Sequence, residues 1–231
     1  MYLDRVKLSF DLDAIKNSGL NFAYDAMYGA GQNVMKKLFP DMTFLHCDYN
    51  PSFNDQAPEP IDKNLTEFSE LIKNRKNIAA GLATDGDADR IGLYNSKGEF
   101  VDSHHIILLL LLYLYKYKNL KGKVVVAAST TPRVVKLADK WGLDHDTVKV
   151  GFKYIAGQMV NEDVLIGGEE SGGIAIKGHI PERDGIWMGL VLFEYMAKSG
   201  KTLEELINEV YELVGELSLI HISEPTRLEL I

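Results

Sequence analysis

Short apolar and β-branched runs alternate with longer segments of helical spacing from about residue 11 to residue 215, the pattern of a parallel or mixed sheet covered by helices. Eight runs predict strands, at 20–24, 43–47, 78–83, 91–94, 123–128, 147–150, 164–166 and 174–176. Helices fill most of the gaps. Gly29-Ala30-Gly31 lets the chain turn into a helix reaching about residue 39, whereas 51–60, with three prolines and no period, reads as a loop. Thr131 and Pro132 supply an N-cap and a favoured first helical residue, and Gly142 can stop that helix. An apolar helix is expected from Ile186 to about Ala197, where the aromatic and Met residues at 187, 188, 193 and 196 fit core packing. Thr202 and Glu205 form a capping box. Behind them Leu203, Leu206, Ile207, Val210 and Val214 keep the spacing of a helix with one buried face.

The class expected is therefore α/β: two consecutive α/β domains with mixed, largely parallel sheets covered by helices, over 1–103 and 104–215, joined near 101–105 without a strict sequence repeat. Residues 216–231 continue neither the period nor the alternation and are expected to be a non-native tail. At 231 residues and 46% hydrophobic content the chain can bury a proper core. Its formal net charge of −8 argues against a nucleic-acid partner, which a basic face would serve. The longest apolar run, from Ile106 through Leu112 and on to Tyr115, is shorter than the ~20 residues of a membrane span and reads as a buried helix. One cysteine, Cys47, excludes an internal disulfide and a Cys-based zinc site. With no basic-then-apolar start, a cytoplasmic location is the expectation.

Asp85-Gly86-Asp87-Ala88-Asp89-Arg90 changes the picture from fold to chemistry. In an extended segment alternate side chains share a side, so three acids would converge and repel. Two unit charges ~5 Å apart interact by roughly 3 kcal/mol at an effective dielectric near 20, so the cluster needs a cation or raised pKa values. Mg²⁺ suits such oxygen ligands. A solvated acidic turn is the plain alternative. An EF-hand fails, because Arg90 stands where its loop needs glycine and Ser96 where it needs glutamate. Arg90 can hold a phosphate that also touches the metal.

Three further segments are weaker alone. Gly167-Gly168-Glu169-Glu170-Ser171-Gly172-Gly173 permits close ligand approach and offers sugar hydroxyls a carboxylate and a hydroxyl, yet a glycine-rich hairpin explains it equally. Gly151-Phe152-Lys153-Tyr154 sits where amides and a lysine favour an anion, although solvent-facing lysines are commoner. In His179-Ile180-Pro181-Glu182-Arg183-Asp184-Gly185, either Asp184 simply caps the next helix or His179 and Arg183 instead reach a phosphate. His104 and His105 read as a helix-start pair.

In order and spacing these four segments resemble the α-D-phosphohexomutases, the phosphoglucomutase and phosphomannomutase superfamily, and specifically their two middle domains, over about residues 1–215. Asp25-Ala26-Met27-Tyr28-Gly29-Ala30-Gly31 also looks like the second-domain turn, with Tyr28 in place of a more usual histidine. The resemblance implies an enzyme that interconverts hexose 1-phosphate and hexose 6-phosphate through a phosphoserine and a hexose 1,6-bisphosphate. It makes Asp85, Asp87 and Asp89 the Mg²⁺ ligands and sets Arg90 at the phosphoryl group. Glu169 and Ser171 then bind sugar hydroxyls, and Lys153, His179 and Arg183 face substrate phosphate or the reacting oxygen. No Thr-Ala-Ser-His-Asn-Pro segment and no Arg-x-Ser-Gly-Thr loop occurs, so the phosphoserine and C-terminal phosphate-binding domains are expected to be missing. Residues 217–227 resemble translated adapter or cloning sequence, and a gene fragment, inactive alone, is the expectation. The rivals are a non-enzymatic sugar-phosphate or cation-binding module and a Mg²⁺-dependent phosphatase with an aspartate nucleophile.

Overall fold

A computed structural model describes residues 1–217. The expected foreign tail lies almost wholly outside them. The chain folds into two α/β sheets flanked by helices, in the order α1 (Tyr2–Ser9), α2 (Leu12–Lys16), β1 (Asn21–Asp25), α3 (Gln32–Leu38), β2 (Thr43–Leu45), α4 (Thr66–Asn74), β3 (Ile78–Thr84), β4 (Ile91–Asn95), β5 (Phe100–Val101), α5 (Ser103–Leu112), β6 (Lys123–Ala127), α6 (Pro132–Lys140), β7 (His145–Val148), α7 (Phe152–Asn161), β8 (Val164–Gly168), β9 (Ile174–Ile176), α8 (Gly185–Ser199) and α9 (Leu203–Val214).

The sheets run β2-β1-β3-β4-β5 and β7-β6-β8-β9. In each, three parallel strands are followed by an antiparallel one: β1 pairs parallel with β2 and β3, and β3 antiparallel with β4, while β6 pairs parallel with β7 and β8, and β8 antiparallel with β9. Even the irregularity repeats, since the register shifts after Asn21 in β1 and after Lys123 in β6.

Helices α5 and α8 explain why their sequences are apolar on every side. Helix α5 packs on β4 and β8, and α8 on β3, β4 and β9, so each touches both sheets. Every residue from Ile106 to Leu112 is buried, as are twelve positions of α8. A helix apolar all round needs such surroundings. One apolar cluster accordingly spans both sheets, from Phe22 and Leu93 to Val126 and Ile166, with Phe22 stacked on Phe193 of α8 at 4.0 Å. Satellite clusters under α4 (Phe68, Ile72) and α7 (Phe152, Ile155) cover the outer faces. Among the described residues no helix is long and apolar enough to cross a membrane.

Local signals hold where their cause is local. Thr131 caps α6, Asp184 caps α8, and Thr202 with Glu205 closes the capping box of α9. Three features depart from expectation. Strand β7 covers His145–Val148, not 147–150: it is a half-exposed edge strand, and the backbone leaves the sheet toward Gly151 at φ +125°. Strand β5 is too short to show a period. Helix α1 has Val6 as its one buried residue and is held by distant partners, with Tyr2 Oη donating to both Asp184 carboxylate oxygens at 2.9 Å.

Candidate active site

Asp85 leaves the carboxyl end of β3 and Glu169 that of β8, so the two hairpin loops that follow, 85–90 and 169–173, occupy equivalent places in the two sheets. Such ends are where α/β sheets place ligands. The loops meet. Arg90 and Gly173 form an antiparallel bridge, and the Ile91 amide donates to the Gly172 carbonyl at 3.2 Å. Glycine is required at the crossing: a Cβ on Gly172, whose φ is +90°, would lie 2.6 Å from the Ile91 carbonyl oxygen, and one on Gly185 would lie 2.5 Å from that of Arg90. The Gly185 amide donates to the Ala88 carbonyl at 2.9 Å, which pins the acidic loop to the start of α8.

Three carboxylate oxygens, one each from Asp85, Asp87 and Asp89, lie within 4.8 Å of one another. The route to this convergence differs from the expected one. The segment is not extended; Ala88 takes φ +63° and its amide donates to the Asp85 carbonyl at 3.1 Å, so a turn gathers the acids. Asp85 is buried and holds the turn: Oδ1 accepts from the Asp89 and Arg90 amides at 2.9 and 3.0 Å, and Oδ2 accepts from Arg90 Nε at 2.6 Å. Asp87 is exposed and has no hydrogen bond or ion pair among the described residues. Asp89 Oδ2 stands 2.6 Å from Arg183 Nη2. Burial, then the charge of Asp85, pushes the Asp89 carboxyl up to about 6 despite Arg183. A set of oxygen donors alone, crowded enough to raise one of their pKa values, suits a hard divalent cation, and the residues therefore fit Mg²⁺.

All three aspartates, Arg90, Arg183, Glu169 and Ser171 line one open cleft, together with Glu170 and Val150. Glu169 is buried, and its Oε1 accepts from the Gly151 amide at 2.8 Å. Ser171 is exposed at the tip. Two expected site residues stand elsewhere. Lys153 is exposed in the first turn of α7, with Nζ 5.1 Å from the centre of the Tyr154 ring, beside the Gly151–Glu169 contact but not on the cleft wall. His179 lies outside the cleft: its ring stacks on Trp187 at 3.7 Å, and Nε2 stands 2.8 Å from Asp184 Oδ2. The same Asp184 oxygen also accepts from Tyr2. Sequence reasoning also passed over Glu59, 3.6 Å from Arg90 Nη1, and gave no role of its own to Phe152, whose ring lies 5.5 Å beneath the Arg183 guanidinium. Neither carries a local pattern.

Fold and cleft define a class, an α/β protein of two like sheets with one polar, acid-rich site between their hairpins. Profiles of the phosphoglucomutase/phosphomannomutase family match nearly all of the described chain, alpha/beta/alpha domain II over residues 1–98 and domain III over 102–214. The chain belongs to that family. It is 29% identical over 213 residues to the phosphoglucomutase/phosphomannomutase of Thermococcus kodakarensis, a match covering 90% of this chain and 46% of the relative. A phosphoglucosamine mutase of Limosilactobacillus reuteri is 32% identical over 219 residues, 90% of this chain and 47% of the relative. The chain thus spans about half the length of these curated relatives. A crystal structure of a Thermus thermophilus chain assigned as a phosphomannomutase superposes with a TM-score of 0.86 at 34% identity, covering 93% of this chain and 50% of that one. At 17% identity and a TM-score of 0.65, the N-acetylphosphoglucosamine mutase of Aspergillus fumigatus, solved with GlcNAc-6P and magnesium, shares the fold over 90% of this chain and 52% of its own.

Proposed function

We propose that this chain supplies the cation-binding and sugar-binding half of a phosphohexomutase, which interconverts hexose 1-phosphate and hexose 6-phosphate through a phosphoserine and a hexose 1,6-bisphosphate. The observation that carries the reading is the shared cleft: the acid triad, two arginines and the Glu169–Ser171 hairpin face one volume. That one fold relative was solved with GlcNAc-6P and magnesium agrees with it. The domains are proposed as 1–103 and 104–215, and the setting as cytoplasmic.

Asp85, Asp87 and Asp89 hold Mg²⁺, which when bound neutralises charge on a phosphoryl group. Phosphoryl transfer depends chiefly on positioning and electrostatic stabilisation. Arg90 suits that work because its backbone is fixed in the bridge to Gly173 and its Nε is held by Asp85. Arg183 adds a second planar donor for phosphate oxygens. Glu169 orients sugar hydroxyls with one carboxylate oxygen while the other fixes Gly151, and Ser171 donates or accepts at the tip. Lys153, exposed at the start of α7 and off the cleft wall, meets the substrate anion or the reacting oxygen only by swinging from the Tyr154 ring. His179 serves through Asp184 by steadying the segment that bears Arg183.

Calorimetry with glucose 1,6-bisphosphate and Mg²⁺ tests the reading. Binding is expected, with Ser171→Ala and Glu169→Ala each weakening it about tenfold, the scale of a lost hydrogen bond to a charged or sugar group. The chain mixed with glucose 1-phosphate and catalytic glucose 1,6-bisphosphate is expected to give almost no glucose 6-phosphate. Turnover at a normal mutase rate contradicts the half-enzyme reading, release of inorganic phosphate without isomerised sugar indicates a phosphatase, and absence of bisphosphate binding removes the sugar-phosphate assignment.

A further inference from the structure

The two arginines of the cleft are held very differently. Arg90 has its amide and Nε both on Asp85, its backbone in the bridge to Gly173, Glu59 at 3.6 Å, and Asp89 Oδ1 only at 3.9 Å. Arg183 has one short contact, Nη2 to Asp89 Oδ2 at 2.6 Å. Its Nε is buried without a hydrogen-bond partner; Glu182 Oε1 stands 3.5 Å away. A buried donor left unpaired is costly, so Asp89 satisfies this guanidinium only in part. The backbone around it is nevertheless fixed. Asp184 accepts from Tyr2, His179 and the Trp187 amide, and the Gly185 amide is tied to Ala88. Arg183 can therefore change partners by side-chain rotation alone, over the face of Phe152.

Asp89 is also the acid for which two claimants compete. A divalent cation in the triad needs a lone pair from Asp89 and places like charge beside the guanidinium. We propose that Arg183 is an internal stand-in for the cation: it neutralises Asp89 while the triad is empty, leaves Asp89 when the triad is filled, and then offers its donors to an anionic phosphate ester in the cleft. The inference rests on the cation reading above and adds a regulatory order to it, cation first and phosphate second. Because the same arginine is withheld or released, the two affinities are coupled, and linkage makes the coupling equal in both directions. An empty site would bind phosphate poorly although two arginines line it.

The test uses the full 231-residue chain, Mn²⁺ followed by the paramagnetic signal of the free ion, and inorganic phosphate followed by calorimetry. Arg183→Gln is expected to bind Mn²⁺ about two- to fivefold more tightly than the unaltered chain, the range for relief of a partly exposed ion pair. Arg183→Lys, which keeps the charge, is expected to bind it as the unaltered chain does. Saturating Mn²⁺ is expected to tighten phosphate binding at least fivefold in the unaltered chain and less than twofold in Arg183→Gln. Equal or weaker Mn²⁺ binding by Arg183→Gln, or full retention of the phosphate gain, overturns the proposal. If Arg183→Gln does not fold, the unaltered chain still decides, because the absence of any gain in phosphate affinity on saturation with Mn²⁺ overturns the coupling. Failure of the unaltered chain to take up Mn²⁺ removes the cation reading and the proposal together, whereas normal uptake indifferent to Arg183 removes the proposal alone.

Discussion

The two hairpins follow equivalent strands of equivalent sheets and each begins with a buried carboxylate, Asp85 or Glu169, yet they spend that carboxylate differently. Asp85 turns back on its own loop, accepting from two amides and a side chain within five residues. Glu169 reaches across its own sheet to Gly151 in the β7–α7 turn, eighteen positions away. The first loop is a self-contained acidic turn. The second is half of a contact that exists only when the sheet around it has formed. A repeated framework has thus been given one site assembled locally and one assembled by tertiary structure.

Breaking each carboxylate should expose that difference. Asp85→Ala leaves two amides and Arg90 without their acceptor, and is expected to cost about 3–5 kcal/mol in urea unfolding and to reduce Mn²⁺ affinity at least 100-fold. A variant that stays folded and binds Mn²⁺ normally would show the turn to be less dependent on Asp85 than its geometry implies. Next in size is the joint between the hairpins. Gly185→Ala drives a Cβ to 2.5 Å from the Arg90 carbonyl, and a loss of about 2–4 kcal/mol is expected, since backbone on both sides leaves little room to yield. The nearest atoms to a Cβ on Gly173 belong to the flexible Arg183 side chain, so Gly173→Ala should cost less than half as much while disturbing Arg183.

The frame common to both hairpins has its own pH signature. Burial alone would raise the Glu194 carboxyl of α8, but hydrogen bonds from Tyr113, the Asp11 amide, Lys198 and Lys118 bring it down to about 2. A depressed carboxylate stabilises the fold above its unfolded pKa of 4.5, and that stability is lost as pH falls from 4.5 toward about 2. Glu194→Gln should therefore lose up to about 3 kcal/mol at pH 7, with the gap to the unaltered chain closing across that acid window. A gap that persists at pH 2 would mean that packing, not ionisation, explains the loss. The smallest effect belongs to the second hairpin. Glu169→Gln keeps an acceptor for Gly151 and should cost about 1 kcal/mol while leaving Mn²⁺ binding unchanged.

The same contrast explains what could be read from the chain. The 85–90 segment is legible because its chemistry is contiguous, and the caps at Thr131, Asp184 and Thr202 because a cap needs only its own first turn. Its geometry was less legible: three alternate acids suggested an extended segment, while the left-handed Ala88 closes a turn instead. Residues whose partners lie far along the chain left no pattern. Tyr2 meets Asp184 across 182 positions, Arg183 meets Asp89, and His179 stacks on Trp187 and lies off the cleft wall, none of which spacing discloses. The family resemblance supplied what local chemistry lacked, by joining the 169–173 and 179–185 segments to the acidic loop. Helix α1 and strand β5 stayed hidden because one is held by distant contacts and the other is two residues long.

Asp87 offers the cleanest test of the cation cradle, because it is exposed and holds no other group, so replacing it leaves the fold alone. The measurement is a Mn²⁺ titration of the unaltered chain and of Asp87→Asn at neutral pH. The account predicts one site in the unaltered chain and at least a tenfold weaker one in the variant, with the same unfolding curve for both. No saturable site, or equal affinity in the two proteins, would contradict it.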